Sequence, residues 1–563
     1  MNKSLDKTLK QYSSNHFGSF FYGGNKEKCD VFKSIGKYNK NKCDWNNDKI
    51  VWWASGGKIM TGLVVAKMIE EEIITPYTTL FSLNNIFTGK GTYFKSISIL
   101  NPLKFPFDPS SYSVTLDTFD WETITIGDLL QFNIGLIGDY FAVPSAILSW
   151  LNPDNIKKAL ENNTVFSLGS YIQFVTFFKN MANKTPIGIG TQAYNGEPIL
   201  KILTTFLPNI IDSNVSGTLP LLFKPKTIYT NLLPYGTDGF PAIYDTSMVL
   251  LVTVLDHPLQ LNGYKNFADY SHKKILCPLG CKDSYIVGQE IIPNKKRKNI
   301  VGTSWRRAPI YNLTKTFDIN DVSSWAGYGV SPEYADLPIG EKGLGQLVWS
   351  QDYPNDGISK LMNALLYNDT PYPDKYTVGN APLISSIKDF SKILKMILNK
   401  GISSENKQIL NPDTFEYLIS PKIPTTSGIV TSSIYSIFDF TEEYTNTGFA
   451  MGFGRINRDL TSSTLYGFDP HTCYWYGFSG IGWYLNIKTK NWFIYGIPES
   501  RLSSGTFPKI LGGNPSHNAI ITSSFLLSLN KQPERLHKKP HNLNIMTVLG
   551  NIQNLFIQIL KNV

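Results

Sequence analysis

Trp53-Ala-Ser55-Gly-Gly-Lys58-Ile-Met-Thr-Gly-Leu-Val-Val-Ala-Lys-Met-Ile-Glu70 is the stretch that decides the fold. After Ser55, the residues Met60, Leu63, Val64, Lys67 and Met68 recur at three- and four-residue steps, which predicts a helix. It should run to about Ile74, with Pro76 stopping it. Ser55 stands at the N-cap position, and Lys58 follows on the same helix face one turn later. A serine hydroxyl is a poor nucleophile at neutral pH, and an amine within hydrogen-bond reach can take its proton. Read alone, the same pattern also describes an ordinary capped helix with a solvated lysine, so the rest of the chain has to bear on it.

The 563 residues are 42% hydrophobic and 13% aromatic but only 17% charged, enough apolar material for a large core and too little charge for a mainly disordered chain. Asn, Lys, Ile and Tyr are abundant, the usage that an AT-rich genome produces, so patterns built from Asn or Lys arise cheaply by chance. The net charge of +9 is mild when spread over this length. Its densest run, Lys295 to Lys298 with Arg306 and Arg307 nearby, reads as a solvated loop or as a patch for an anionic partner. The five cysteines, Cys29, Cys43, Cys277, Cys281 and Cys473, suggest free thiols in a reducing compartment. Cys277-x-x-x-Cys281 has no companion pair at zinc spacing, so no metal is expected. No signal peptide is evident and no apolar run reaches about 18 residues, so the expectation is a cytoplasmic (intracellular) protein without a membrane span.

Along the chain, Phe17–Tyr22 and Val31–Ile35 read as short strands joined by turn chemistry at Gly23-Gly24-Asn25. Residues 80 to 120 look irregular, apart from a capped short helix beginning at Thr123. A long, mostly helical region follows from Tyr140 to about Phe206, and another helix from Tyr244 to about Leu255. Ile384–Leu398 is the best amphipathic helix of the second half, ending at Gly401. Beyond Gly452 the period changes to strands: Gly452–Ile456, Gly482–Lys488 and Trp492–Ile497, the last two forming a hairpin around Thr489-Lys-Asn491. A helix is expected over Ala519–Leu529, then an apolar tail from Asn542. Strands at both ends with helices between them predict an α+β fold of the α/β sandwich type. In it, one antiparallel sheet is built from both chain ends and flanked by helices, beside a largely helical inserted region.

In this order the motifs resemble the serine β-lactamase and penicillin-binding-protein superfamily, closest to its class C β-lactamase, D-aminopeptidase and esterase-like branch. Ser55 and Lys58 fall on that family's Ser-x-x-Lys, and Ile124-Thr-Ile-Gly-Asp-Leu-Leu-Gln-Phe-Asn-Ile-Gly-Leu136 is similar to the stretch that follows it. Tyr244-Asp245-Thr246, opening a helix ahead of Pro278-Leu279-Gly280, matches the second motif; Tyr194-Asn195 is the competing placement. Gly379-Asn-Ala-Pro-Leu-Ile-Ser385-Ser-Ile-Lys-Asp389 matches a later helix start. Phe478-Ser479-Gly480, directly before a strand, matches the third motif, with His471-Thr472-Cys473 as the alternative. The resemblance implies a β-lactamase-like domain over 1–530, with a sheet subdomain from about 17–80 and 380–530. A helical subdomain with insertions over about 81–379 and a C-terminal extension over 531–563 complete it.

What the resemblance implies about chemistry is acyl transfer on an amide or ester, without a cofactor. Ser55 would attack the carbonyl, and Lys58 and Tyr244 would carry the proton. The backbone N–H groups of Ser55 and Ile481 would form the oxyanion hole, each donor worth roughly 2.7–4 kcal/mol, with Ser479, Gly480 and Asp245 lining the substrate. Phe478 stands where the family carries Lys or His, which suits a neutral ester or amide better than a carboxylate-bearing β-lactam or D-amino-acid peptide. Two Gly in the first turn, Gly56 and Gly57, should cost about 1 kcal/mol each in a helix. The other readings are a non-catalytic relative serving as a binding or structural protein, and nucleic-acid binding through residues 295–307.

Overall fold

A computed structural model describes, with short gaps, residues 18–36, 44–135, 242–301, 379–420, 447–456 and 471–496, together with isolated pieces near 160–172, 220–226, 304–307, 346–349 and 429–431. The expected helices over Tyr140–Phe206 (apart from isolated positions) and Ala519–Leu529, the tail from Asn542, and Tyr194 lie outside these residues.

The chain opens with β1 (Gly18–Asn25) and β2 (Lys28–Gly36), an antiparallel pair. Gly23 and Gly24, expected to make the turn, lie inside β1 instead, where Phe493 and Trp492 of the neighbouring strand come too close for a side chain at Gly23. The short strand β3 (Ile50–Trp52) then leads to a 3-10 turn at Ala54–Gly57 and to helix α1 (Lys58–Glu70). Helix α1 is buried on almost every side, including Lys58 and Thr61, as a helix running through the middle of a core must be.

Residues 90–120, which read as irregular, form a two-stranded hairpin of β4 (Lys90–Ile99) and β5 (Tyr112–Asp120). A register shift between Phe94 and Ser96 breaks its alternation, and most of its side chains face solvent, so no clean hydrophobic period marks it. Helix α2 (Ile126–Leu130) begins with a capping box between Thr125 and Asp128. Strand β6 (Ala242–Tyr244) precedes α3 (Ser247–Leu261), so the helix expected from Tyr244 starts three residues later. Next come β7 (Ser284–Ile286), the exposed turn of helix Asn294–Arg297, and the pair β8 (Ser304–Arg307) and β9 (Gln346–Trp349). Within the basic segment, Lys296 pairs with Asp283 and Arg297 donates to the Ile292 carbonyl.

Strand β10 (Leu383–Ser386) pairs with both β3 and β7, and α4 (Ile387–Leu398) starts directly after it. The first residues of the expected 384–398 helix are therefore strand, and Ser386 caps the helix by accepting from the Asp389 N–H. Helix α5 (Pro412–Ile419) packs on α1. The remaining strands are β11 (Ile429–Thr431), parallel to β6, then β12 (Thr447–Phe449), β13 (Gly454–Ile456), β14 (Thr472–Tyr476), β15 (Ile481–Asn486) and β16 (Asn491–Gly496).

The main sheet runs β12-β13-β14-β15-β16-β1-β2 and is antiparallel throughout. Both ends of the chain build it: β1 joins the sheet against β16, with Phe20 opposite Gly496. This is the α+β arrangement expected from the sequence, a sheet of strands from both ends with helices against it. Every residue of β15 and β16 is buried, so the centre of the sheet is covered on both faces. On one face Phe390 of α4 stacks on Trp53 at 3.6 Å between ring centroids, and Trp483 of β15 stands against both Phe390 and Phe453. That aromatic cluster joins sheet, α4 and the start of α1 at one point. Among the described residues, no helix is long and apolar enough to cross a membrane.

Candidate active site

The serine sits on a turn, not on a helix cap. Gly57 occupies the N-cap position of α1 and makes no side-chain cap bond, while Ser55 lies within the 3-10 turn. The Lys58 N–H still donates to the Ser55 carbonyl, so the turn feeds straight into the helix. Ala54, the residue before the serine, has φ +46°, a left-handed conformation that costs an L-residue roughly 1–2 kcal/mol. Such strain persists only where surrounding contacts hold it.

Those contacts come from three places. The Trp53 N–H donates to the Leu383 carbonyl of β10 at 3.1 Å, and the Trp53 indole donates to the Ser385 carbonyl at 3.3 Å. The Trp483 indole of β15 donates to the Gly56 carbonyl at 2.9 Å. Gly477, just past β14, lies so close to the turn that a Cβ there would stand 2.1 Å from the Trp53 carbonyl oxygen and 3.1 Å from the Ala54 Cβ. A fourth contact secures the helix itself: Gly452, at φ +89°, lets its backbone lie against Lys58, where a Cβ would meet the Lys58 carbonyl oxygen at 2.2 Å.

Within this clamp the Lys58 Nζ donates to the Ser55 Oγ at 2.9 Å. Lys58 is wholly buried while Ser55 is half-exposed, so the amine approaches the hydroxyl from inside and the hydroxyl keeps an open side. An amine within hydrogen-bond reach of a hydroxyl is placed to exchange a proton with it.

The other residues read from the sequence are placed as follows. Tyr244 ends β6, opposite Thr431 of β11, and its side chain is outside what the structure describes, as are Asp245, Ser479 and Gly480. The helix that follows Tyr244 is tied to α1: Gly379 lies against the Met248 carbonyl of α3, and its own carbonyl accepts from the Thr61 hydroxyl of α1 at 2.9 Å. Ile481 is the first residue of β15; its carbonyl accepts from the Gly477 N–H at 2.7 Å and closes the β14–β15 hairpin. Two hairpin residues abut the serine turn: Gly477 on the β14 arm and Trp483 on the same arm as Ile481. The signal of Gly477 in the sequence is only its place ending the aromatic run Tyr474-Trp475-Tyr476. Trp483 carries no signal of its role either, because a tryptophan in a buried strand reads as core. His471, the alternative for the third motif, directly precedes β14 at the end away from Gly477, about 20 Å along the strand. Cys473 beside it is buried, which pushes its thiol up to about 12 and leaves it inert. Among the described residues, no group of three or more His, Cys, Asp or Glu side chains is placed to hold a metal ion.

No protein-family model matches the sequence, and no curated protein matches it by sequence. Solved structures do match. The LovD6 mutant of simvastatin synthase from Aspergillus terreus is similar at a TM-score of 0.53 and 11% identity, over 99% of this chain and 95% of that one. The unliganded selenomethionyl form of the same synthase gives a TM-score of 0.53 at 12% identity, over 94% and 98% of the two chains. EstCE1, a hydrolase with promiscuous acyltransferase activity, gives 0.50 at 13% identity, over 92% and 98%. The chain has the serine β-lactamase and penicillin-binding-protein fold. In this fold the clamp on Ser55 connects the central sheet to the helical side, with β14 and β15 supplying one wall and α1 and β10 the other.

Proposed function

We propose that this chain is a serine hydrolase or acyltransferase that works through an acyl-enzyme on Ser55. The observation that carries the reading is the 2.9 Å contact from Lys58 Nζ to Ser55 Oγ, made by a buried amine to a half-exposed hydroxyl. Lys58 takes the hydroxyl proton as Ser55 Oγ attacks the carbonyl carbon of an ester or amide. The oxyanion is held by the Ser55 N–H and by the Ile481 N–H at the β14–β15 hairpin. Collapse of the tetrahedral intermediate expels the alcohol or amine, which receives the proton from Lys58 directly or through Tyr244. Water or a second alcohol then attacks the acyl-enzyme, giving hydrolysis or transfer, the two activities named for EstCE1.

We assign a neutral acyl substrate. The strand beside the serine turn reads Thr472-Cys-Tyr-Trp-Tyr476 and then Gly477, without a cation to hold a substrate carboxylate.

The test is covalent labelling. A fluorophosphonate probe should add one label to the wild-type chain at Ser55 and none to Ser55→Ala, and a p-nitrophenyl ester should be turned over only by the former. Equal labelling of the two proteins would end this reading. No labelling and no turnover by a folded wild type would favour the fold as a binding scaffold.

A further inference from the structure

A second cluster of reactive groups lies away from Ser55. Residues His272–Leu276 form one turn of π-helix, in which the Cys277 N–H donates to the His272 carbonyl at 2.9 Å. In an α-helix, residues five apart point in different directions. The wider π turn brings them onto one face, and such single turns often mark functional sites. Here it sets the Cys277 Sγ 4.0 Å from the His272 Nδ1, at the outer reach of a sulfur hydrogen bond. The other ring nitrogen, Nε2, lies 3.0 Å from one Glu290 oxygen and 2.9 Å from the second. Glu290 is in turn fixed by the Ile286 N–H. A carboxylate at Nε2 selects the tautomer whose Nδ1 lone pair faces the thiol.

We propose that Cys277 is a reactive thiol, activated by His272 and oriented through Glu290, and is a site of S-thiolation by low-molecular-weight disulfides of the glutathione type. The thiol proton passes to His272 Nδ1, giving an imidazolium held by Glu290. The thiolate attacks one sulfur of the disulfide, the new Sγ–S bond forms as the old S–S bond breaks, and the departing thiolate takes up the proton. Nothing is oxidised beyond the exchange.

Three observations support the assignment. Cys277 is exposed and unbridged, whereas Cys281 four residues on is buried, and that burial pushes its thiol up to about 12. The hydrogen bond from Glu290 raises His272 above the ordinary histidine range against the opposing pull of burial, which favours the imidazolium that stabilises a thiolate. The cluster also stands apart from the serine: Lys274, in the same π turn, pairs with Glu71 at the far end of α1 from Ser55. A helix of 13 residues puts about 20 Å between the two. The proposal is therefore independent of the assigned serine chemistry.

The test uses the full chain with oxidised glutathione, adduct mapping by mass spectrometry, and rates measured from pH 6 to 9. Cys277 should carry the adduct and react faster at pH 6.5 than a small free thiol under the same conditions. His272→Asn should slow the reaction at pH 6.5 by about tenfold and return the profile to that of a free thiol, with Glu290→Gln in between. Ser55 labelling should stay as in wild type in both variants. If the adduct maps elsewhere, or the wild-type profile is that of an ordinary thiol, the proposal fails. A His272→Asn variant that reacts as fast as wild type overturns it equally. Should either substitution unfold the chain, the wild-type pH profile decides alone.

Discussion

Gly477→Ala is the substitution that most directly asks whether the sheet positions the serine. The added Cβ would stand 2.1 Å from the Trp53 carbonyl oxygen, 3.0 Å from its carbonyl carbon and 3.1 Å from the Ala54 Cβ. An ordinary carbon–oxygen contact is about 3.3 Å, so strand and turn must separate by roughly 1 Å. None of the opposing atoms belongs to a flexible side-chain end; two are backbone and the third is an alanine Cβ, so the shift falls on the turn that carries Ser55. A misplacement of about 1 Å at a reacting group costs on the order of 10²-fold in rate. Gly482→Ala is the matched control: its Cβ would meet the hydroxyl end of the Tyr495 ring at 2.0 Å, on the next strand of the same sheet, and that ring can swing aside. Fluorophosphonate labelling rates and denaturant midpoints should be measured for both. Gly477→Ala should lose about two orders of magnitude in labelling while remaining folded, and Gly482→Ala should label close to wild type. A folded Gly477→Ala that labels like wild type would show that this contact does not position the nucleophile.

Lys58→Met keeps a long apolar side chain in the buried site but removes the amine from Ser55 Oγ, and should lower the labelling rate by about 10²–10⁴-fold; an unchanged rate would remove Lys58 from the mechanism. Trp483→Phe deletes the donor to the buried Gly56 carbonyl and should cost about 1–3 kcal/mol by denaturant unfolding, with slower labelling of Ser55; unchanged stability would mean that the carbonyl finds another partner. Burial lifts the Asp256 carboxyl from 3.8 to about 6, against the pull of hydrogen bonds from the Phe267 N–H and Gln289. The folded state therefore holds that proton more tightly than the unfolded one, so this group's stabilisation is full below about pH 4 and lost as the pH rises through about 6. Denaturant midpoints across that window should fall more steeply for wild type than for Asp256→Asn, and equal slopes would refute the assignment.

Periodicity carried much of the framework. The apolar runs in Gly482–Lys488 and Trp492–Ile497 placed the central hairpin to within two residues, and the apolar spacing after Ser55 placed α1, which ends at Glu70, four residues before the expected Ile74. Where local signals compete, the sequence misled. Ile384-Ser-Ser-Ile387 carries helical spacing, but its first three residues are strand, because pairing with β3 and β7 outweighs local preference. The β4–β5 hairpin escaped because few of its side chains are buried, so no apolar period marks it. Gly477 escaped for a different reason: its role is an approach to Trp53, a contact between distant positions that no local pattern records.

The same contrast changes the meaning of Gly56 and Gly57. Placed in an α-helix, they would be two penalties in the element that carries the nucleophile. They lie instead in the 3-10 turn before the helix, where the penalty does not apply and small residues serve. A Cβ on Gly57 would meet the Leu383 Cβ of β10 at 3.0 Å, so a side chain there would press the turn and that strand apart by a few tenths of an ångström. The Gly56 carbonyl is the acceptor that Trp483 reaches. The turn is therefore pressed from one side by β10 and from the other by β14 and β15, and Ala54 is held at φ +46° between them. Ser55 and Lys58 belong to one local segment, which is why their spacing showed in the sequence. The strain that presents Ser55 is maintained by strands hundreds of residues away, so a change in any of those strands should act on the nucleophile before it acts on the fold.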